Sequence, residues 1–254
     1  MKAKKKNQKI RRKILFSLLF LMVGLLTLFF IWTKQVKVAD QAILQRVNKN
    51  KNISIRTTDH SLIMIHKQVP PSRGLVFIPG AKITADAYLF KLSNFTQRGI
   101  AVVITKPTLN LAFFDLRPLS TFTREVPKIK EWYVAGHSLG GVKACQYTTE
   151  SKVKGLILFA SYCATDVTKP VLSISGSADR LTTKKDIDNT RKYYKGSYSA
   201  VEIVGANHAR FGDYGKQSGD GEAQLTTEDM KISLNAIITN WFDTQSNDKN
   251  LTNE

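Results

Sequence analysis

The sequence predicts an α/β chain: a doubly wound, mostly parallel sheet without a large lid, preceded by one transmembrane helix. Three observations carry this. Residues 14–32 are apolar and uncharged, and from about residue 53 to 243 short β-rich runs alternate with helically spaced stretches. In addition, one apolar strand runs directly into Gly136-His137-Ser138-Leu139-Gly140 and on into a helical pattern. At 254 residues there is room for one domain of about 200 residues with appendages, large enough to hold a core without disulfides or metals.

The stretch 14–32, ILFSLLFLMVGLLTLFFIW, makes a helix of about 28 Å at 1.5 Å per residue, close to the hydrocarbon thickness of a bilayer. Residues 1–13 hold eight Lys or Arg and no acid, so this end is expected to stay cytoplasmic and the rest of the chain to lie outside. The predicted location is therefore the cell membrane, single-pass, with the bilayer as partner of residues 14–32. A cleaved signal peptide is the rival. Its apolar region is usually shorter and ends at small residues, whereas this one runs into Thr33-Lys34-Gln35, and Val36-Lys37-Val38 before Ala39 is a poor cleavage site. No Cys follows the apolar run to take a lipid. Residues 33–52 are polar with spaced apolar positions (Val36, Val38, Ile43, Leu44, Val47) and are expected to form a short helical stalk. Residues 244–254 are polar without periodicity and are expected to be a loose tail.

The formal net charge is +18, and the eight basic residues at the start account for much of it, leaving +10 on the remainder. These lysines are scattered singly, with no helix-turn-helix, zinc-finger or aromatic-basic signature, so nucleic acid is not expected as a partner. Solubility, or attraction to an anionic membrane or wall polymer, accounts for the charge more simply. Cys145 and Cys163 are too few for a zinc site or a disulfide scaffold. They are two buried small side chains, or a pair if the domain lies in an oxidising compartment, and spacing does not choose.

Strands are predicted at 53–57 and 61–67, as a hairpin around Thr58-Asp59-His60, and then at 74–78, 101–105, 132–135, 155–160, 171–175 and 200–204. Helical stretches are predicted at 84–97, 119–130, 139–150, 183–194 and 227–242. The last carries Met230, Leu234, Ile237, Ile238 and Trp241 on one stripe, with Thr226 as N-cap and Asp229 three residues on.

Within WYVAGHSLGG, residues 132–141, the order strand, G-x-S-x-G, helix is what a nucleophile elbow needs. The glycines leave room for a serine to project from a strained turn, and the helix behind it favours developing negative charge. A bare G-x-S-x-G also occurs in ordinary tight turns; the flanking strand and helix set this one apart.

Here the chain resembles the α/β-hydrolase family, whose GHSLGG elbow stands unaltered, and the resemblance covers about residues 53–243. It implies a triad in the chain order serine, acid, histidine. Ser138 is the implied nucleophile. Gly176-Ser177-Ala178-Asp179, after the strand 171–175, resembles the family's acid loop. The strand 200–204 leads to Gly205-Ala206-Asn207-His208. Of the four histidines His60, His66 and His137 come too early, so elimination agrees on His208. Asp166 is the reserve acid, and Asp213 lies too close after His208 to be preferred. Two N–H donors are expected for an oxyanion, from Leu139 directly after the nucleophile and from Ala81, where Phe77-Ile78-Pro79-Gly80-Ala81 resembles the family's oxyanion loop. No cofactor and no metal is expected.

Only Ser161 to Lys169 separate the strand after the elbow helix from the next one, which leaves no room for a large lid, so the site is expected to be open. Residues 108–118, TLNLAFFDLRP, are the candidate for an apolar pocket wall, with core packing of Phe113 and Phe114 as the alternative. Lys82 and Arg210 flank the oxyanion and histidine loops. Residues 210–221 are similar to the loop after the histidine in a dienelactone-hydrolase-like subgroup of the family. The resulting expectation is a membrane-anchored serine hydrolase that cleaves a carboxylic ester or related acyl compound, its substrate a small molecule or a polymer-linked acyl group. An acyltransferase using the same triad is the first alternative. A non-catalytic surface binding module that keeps the fold is the second.

Overall fold

The computed structural model describes residues 2–251 and divides into two compact units, residues 1–36 and 37–254. The first unit is the helix α1 (Lys2–Lys34). Its stretch Lys9–Lys34 has a mean hydropathy of 2.8 over its most apolar window, and none of that window is buried in protein. A helix this long and apolar meets the length and composition needed to cross a bilayer.

The second unit is built on one eight-stranded sheet in the order β1-β2-β4-β3-β5-β6-β7-β8. The strands are β1 (Ile53–Thr57), β2 (Ser61–His66), β3 (Arg73–Ile78), β4 (Ile100–Thr105), β5 (Trp132–His137), β6 (Val153–Phe159), β7 (Val171–Gly176) and β8 (Tyr198–Ile203). All eight predicted strands are present. β1 and β2 form the expected hairpin, and β2 joins β4 antiparallel; from β4 onward every pairing is parallel. The C-terminal ends of β3 to β8 therefore share one edge of the sheet, and the loops that leave that edge carry all the candidate site residues.

Alternation along the strands sorts the core into two faces. Leu75 and Phe77 of β3, Tyr133 and Ala135 of β5, and Leu172 and Ile174 of β7 bury on one face. Val76, Ile78, Trp132, Val134 and Val171 bury on the other. The first face is covered by a segment of mixed 3-10 and α turns, Ala85–Arg98, that includes α3 (Leu89–Leu92), and by the last helix, α7 (Thr227–Leu251). The stripe read from the sequence is what packs: Met230, Leu234, Ile238 and Trp241 are buried and Ile237 rests against them. Thr226 and Asp229 form the expected reciprocal cap, Thr226 Oγ1 to Asp229 Oδ2 at 2.7 Å and Asp229 N–H to Thr226 Oγ1 at 3.1 Å. The second face is covered by α4 (Ser120–Thr123) and α5 (Leu139–Tyr147).

Besides the stretch 84–97, which forms mixed 3-10 and α turns in place of one helix, four elements differ from expectation. The helix expected over 119–130 is the single turn α4, because Pro127 disfavours helical geometry at Val126. The stretch 183–194 breaks into α6 (Lys184–Asp188) and a 3-10 turn at Arg191–Tyr193, after Thr190 Oγ1 turns back onto the Ile187 carbonyl at 2.6 Å. The last helix does not stop near 242 but continues to Leu251, where a loose tail was expected; residues 252–254 lie outside the described ones. The expected stalk is no stalk from Lys37 onward. Asp40 caps α2 (Gln41–Asn48), accepting from the Ala42 and Ile43 amides, and α2 lies on the domain with Ala39 and Val47 in its core. Ile43, Leu44 and Val47 form a short apolar stripe, which gains most when packed on protein; Arg46 adds a cation–π contact 4.9 Å from the Phe90 ring centroid.

Cys145 of α5 and Cys163 after β6 form a disulfide. It ties the helix behind the elbow to the next strand's loop across a separation of 18 residues. Reducing it should lower stability by about 2–4 kcal/mol, the range for closing a loop of this size. Urea unfolding with and without reductant measures this, and coincident curves would show that the pair is not formed.

Candidate active site

The elbow is built from backbone proximity. Ser138 sits between β5 and α5 at φ 51°, ψ −125°, a region that costs a side-chain-bearing residue of order 1–3 kcal/mol. What forces the turn is how closely α5 approaches the sheet. A Cβ on Gly140 would lie 2.1 Å from the Ile78 carbonyl oxygen, and one on Gly136 would lie 2.4 Å from the Gly140 carbonyl. Neither position can hold any other residue without moving the backbone. The bend is fixed by the Ser138 N–H donating to the Phe159 carbonyl at 3.0 Å and by Ser161 Oγ donating to the Ser138 carbonyl at 2.6 Å. The serine itself is half-buried at the rim.

Asp179 and His208, 29 residues apart, meet in a hydrogen bond of 2.8 Å between Asp179 Oδ2 and His208 Nδ1, and both are buried. The other carboxylate oxygen accepts from the Leu181 and Thr182 amides, each at 2.8 Å. The two loops are zipped together: Ala178 N–H donates to the Ala206 carbonyl at 2.9 Å and Gly205 N–H to Ser177 Oγ at 2.8 Å. Asp166, the reserve acid, is exposed and lies 3.6 Å from Lys195 in a surface ion pair. Asp213 is buried and bound to Lys91 Nζ and Thr227 Oγ1, which makes it part of the scaffold.

Of the first-turn amides near Ser138, the Gly80 N–H is already used, donating to Tyr88 Oη at 3.0 Å. The amides of Ala81 and Leu139 have no intramolecular acceptor among the described residues. Those are the two donors expected from the sequence. His137, inside the elbow, is completely buried with its ring centroid 4.5 Å from that of His208. Its Nδ1 lies 2.9 Å from Tyr88 Oη. Tyr88 Oη thus bridges the Gly80 amide and His137 Nδ1, while His137 Nε2 is buried with no hydrogen-bond partner among the described residues. Burial raises the Tyr88 phenol far above its usual range. Burial, reinforced by the neighbouring His208, holds His137 well below the usual histidine value.

Two features escaped the sequence reading. Asp220 is the anchor of the histidine loop, its carboxylate accepting from the His208 amide at 3.2 Å, Ala209 at 2.8 Å and Gly221 at 2.8 Å. The Gly and Asp content of 210–221 was the only hint. The segment after the apolar helix also reaches the site. Lys37 N–H donates to the Lys82 carbonyl at 2.7 Å, Thr84 N–H to the Lys37 carbonyl at 3.0 Å, and Asp40 N–H to the Asp213 carbonyl at 2.7 Å. Residues 37–40 thus clasp both the oxyanion and the histidine loops. A partly open cavity of about 200 Å³ lies beside the histidine loop, lined by Asp40, Asn207, Arg210, Asp213 and Asp220 among others but not by Ser138. Among the described residues no cluster of His, Cys, Asp and Glu is arranged to hold a metal ion.

The neutral burial of His137 sets a pH dependence. With the native value held below the ordinary 6.5, the unfolded chain binds a proton that the native state refuses, so this contribution is complete above about pH 6.5 and shrinks as pH falls below it. Urea midpoints between about pH 7.5 and 5 should fall more steeply for the native protein than for His137→Gln. Parallel profiles would contradict the assignment.

A model of the α/β hydrolase family matches residues 74–232, more than half of the chain. Among solved structures, TT1662 from Thermus thermophilus aligns at TM-score 0.53 and 15% identity, covering 74% of this chain and 98% of that one. The alpha/beta hydrolase domain-containing protein 10 from mouse aligns at TM-score 0.51 and 13% identity, covering 76% and 98%. At such identities these likenesses speak to the fold alone. No curated protein matches the sequence at a significant level. On the family match, with the sheet order and the elbow in agreement, the chain belongs to the α/β hydrolase family.

Proposed function

We propose that the protein is a membrane-anchored serine hydrolase that cleaves a carboxylic ester or related acyl compound through an acyl-enzyme. One observation carries the reading: a serine held at φ 51° on a strand-to-helix bend shares a sheet edge with a buried histidine–aspartate pair. His208 Nδ1 is committed to Asp179, which leaves Nε2 as the base that takes the Ser138 proton while Oγ attacks the carbonyl. Asp179, pinned by two amides, fixes the tautomer and stabilises the imidazolium that forms. The N–H groups of Leu139 and Ala81 receive the oxyanion. In collapse of the tetrahedral intermediate His208 returns the proton to the leaving alcohol, and water repeats the sequence in reverse to release the acid.

Anchoring is supported by the uncharged helix and the basic block before it. It is also supported by the clasp, since removing the chain up to Ala39 would take away a backbone donor and acceptor on the oxyanion loop. The disulfide fits a domain on the extracytoplasmic side, because such bonds persist in oxidising compartments.

Fluorophosphonate labelling and ester hydrolysis by the full chain test the reading. Native protein should label, and Ser138→Ala should lose labelling and on the order of 10⁴-fold or more in rate. Activity retained by Ser138→Ala would reject the mechanism, and a native protein that neither labels nor hydrolyses would favour a binding role. Asp179→Asn should keep the fold yet lose on the order of 10⁴-fold in kcat, as expected when the orienting carboxylate no longer selects the tautomer. Tyr88→Phe removes the acceptor of the Gly80 amide and the hydrogen-bond partner of His137 Nδ1. It should lower kcat by roughly ten-fold with KM little changed, because one buried hydrogen bond of this kind is worth about 1–2 kcal/mol; equal kcat for both proteins would show that the oxyanion loop does not depend on it.

A further inference from the structure

The loop between β4 and α4 combines two properties that seldom go together. It is tied down throughout. Lys82 N–H donates to the Asn110 carbonyl at 2.7 Å, Arg117 pairs with the buried Asp115 through Nε at 2.7 Å and Nη2 at 2.6 Å, and Arg117 Nη2 also donates to the Lys106 carbonyl at 2.7 Å. Tyr147 Oη of α5 closes the set by donating to the Arg117 carbonyl at 2.8 Å. Leu111 and Ala112 are buried, and Leu109 and Asn110 turn through left-handed geometry at φ 56° and 54°. Yet this fixed loop holds Phe113 at 74% and Leu116 at 89% exposure. The core-packing alternative for Phe113 is therefore ruled out.

Apolar side chains on a mobile tip carry no message, whereas a pair held in water on a loop pinned by a buried carboxylate and its arginine implies a use. The location says what the use is. β4 is parallel to β3, so this loop leaves the sheet edge from which Ser138 projects. Its Asn110 carbonyl is bonded to Lys82, the neighbour of Ala81 in the oxyanion loop, and its Ala112–Phe114 turn packs on α5, which begins directly after the nucleophile. The loop that carries the pair is thus tied both to the oxyanion loop and to the helix behind the serine, and within it the Phe113 and Phe114 rings meet edge-on, centroids 5.4 Å apart at 82°.

We propose that Phe113 and Leu116 form the platform for a hydrocarbon chain of the substrate ester, so that the preferred substrates carry a chain of several methylenes and not a bare acetyl or a charged group. This rests on the serine-hydrolase reading. The ester carbonyl sits between Ser138 and the two free amides, and the chain leaves the rim across Phe113 toward Leu116. No bond chemistry changes; the platform contributes binding through apolar area removed from water. Each fully buried methylene gives about a four-fold gain, and a chain on an open rim gains part of that.

The test uses the full chain in lipid nanodiscs, with p-nitrophenyl acetate, butyrate, hexanoate and octanoate for a chain on the acyl side, and ethyl to octyl acetates for one on the alcohol side. Partition of the esters into lipid is common to all variants, so the comparison is the ratio of kcat/KM for the longest and shortest member in each protein. Native enzyme should favour the long member in one of the two series. In Phe113→Ser/Leu116→Ser that ratio should fall by about ten-fold or more, with the acetate rate within about two-fold of native, while Leu116→Met should keep the ratio. An unchanged ratio, or equal losses at every chain length, would overturn the platform even if ester hydrolysis stands. An unchanged ratio accompanied by a dimer-to-monomer shift in sedimentation would assign the pair to a second copy instead. Absence of turnover at every chain length, together with absence of fluorophosphonate labelling, would remove the hydrolase reading itself and the platform with it.

Discussion

The approach of α5 to the end of β3 governs the rest. With Gly140 pressed on the Ile78 carbonyl and Gly136 on Gly140, the chain can pass from strand to helix only through a tight bend, and Ser138 takes the left-handed conformation at its apex. The strain is small beside the burial of two core faces, so the fold can hold it. The consequence is local: the hydroxyl stands at the rim, the first amide of the helix stays unbonded, and the helix N-terminus lies behind the place where charge would develop. A helix one ångström further from the sheet would relax the turn and lose all three.

Around this bend the remaining loops are held by bonds to one another more than by bonds to the core. Asp179 is set by the amides that follow it, His208 by Asp179 and Asp220, and Gly80 by Tyr88 and through it by His137. Asp213 joins Lys91, Thr227 and the backbone of residue 40 in one buried knot beneath the histidine loop. Burial lowers the Lys91 ammonium from its usual value, while the Asp213 carboxylate works against that shift. Breaking one partner of such a pair costs more than the pair contributes, since the other is left uncompensated in a poor solvent for charge. Rigidity of the site thus comes from a network that joins the loops after β3, β7 and β8 to His137 of β5, to Tyr88 and Lys91, to the first residue of α7 and to residue 40.

Much of this could be read from residue order. The central strands β3 to β7 were legible because they are largely apolar runs, as expected of strands covered on both faces, whereas the edge strands β1 and β8 show only partial burial. The elbow was legible because glycine is required where backbones touch, and His208 because no other histidine follows Asp179. What stayed hidden depends on contacts between distant segments of modest character. Val47 and Ala39 look like stalk residues until a facing surface is known, and Asp220 looks like one more polar residue in a glycine-rich loop. Tyr88 gives no sign that its hydroxyl lies between Gly80 and His137. The pairing of Cys145 with Cys163 is equally a matter of geometry, and the exposed Phe113 sits in a loop pinned by the Asp115–Arg117 pair, which periodicity does not register.

The most direct test of the central claim is a crystal structure of the protein after reaction with a fluorophosphonate, a tetrahedral mimic of the attacked ester. The account predicts a covalent bond to Ser138 Oγ, one phosphoryl oxygen within hydrogen-bonding distance of both the Leu139 and Ala81 amides, and His208 Nε2 facing the Oγ. An adduct on another residue, or one whose oxygen points away from those two amides, would contradict it.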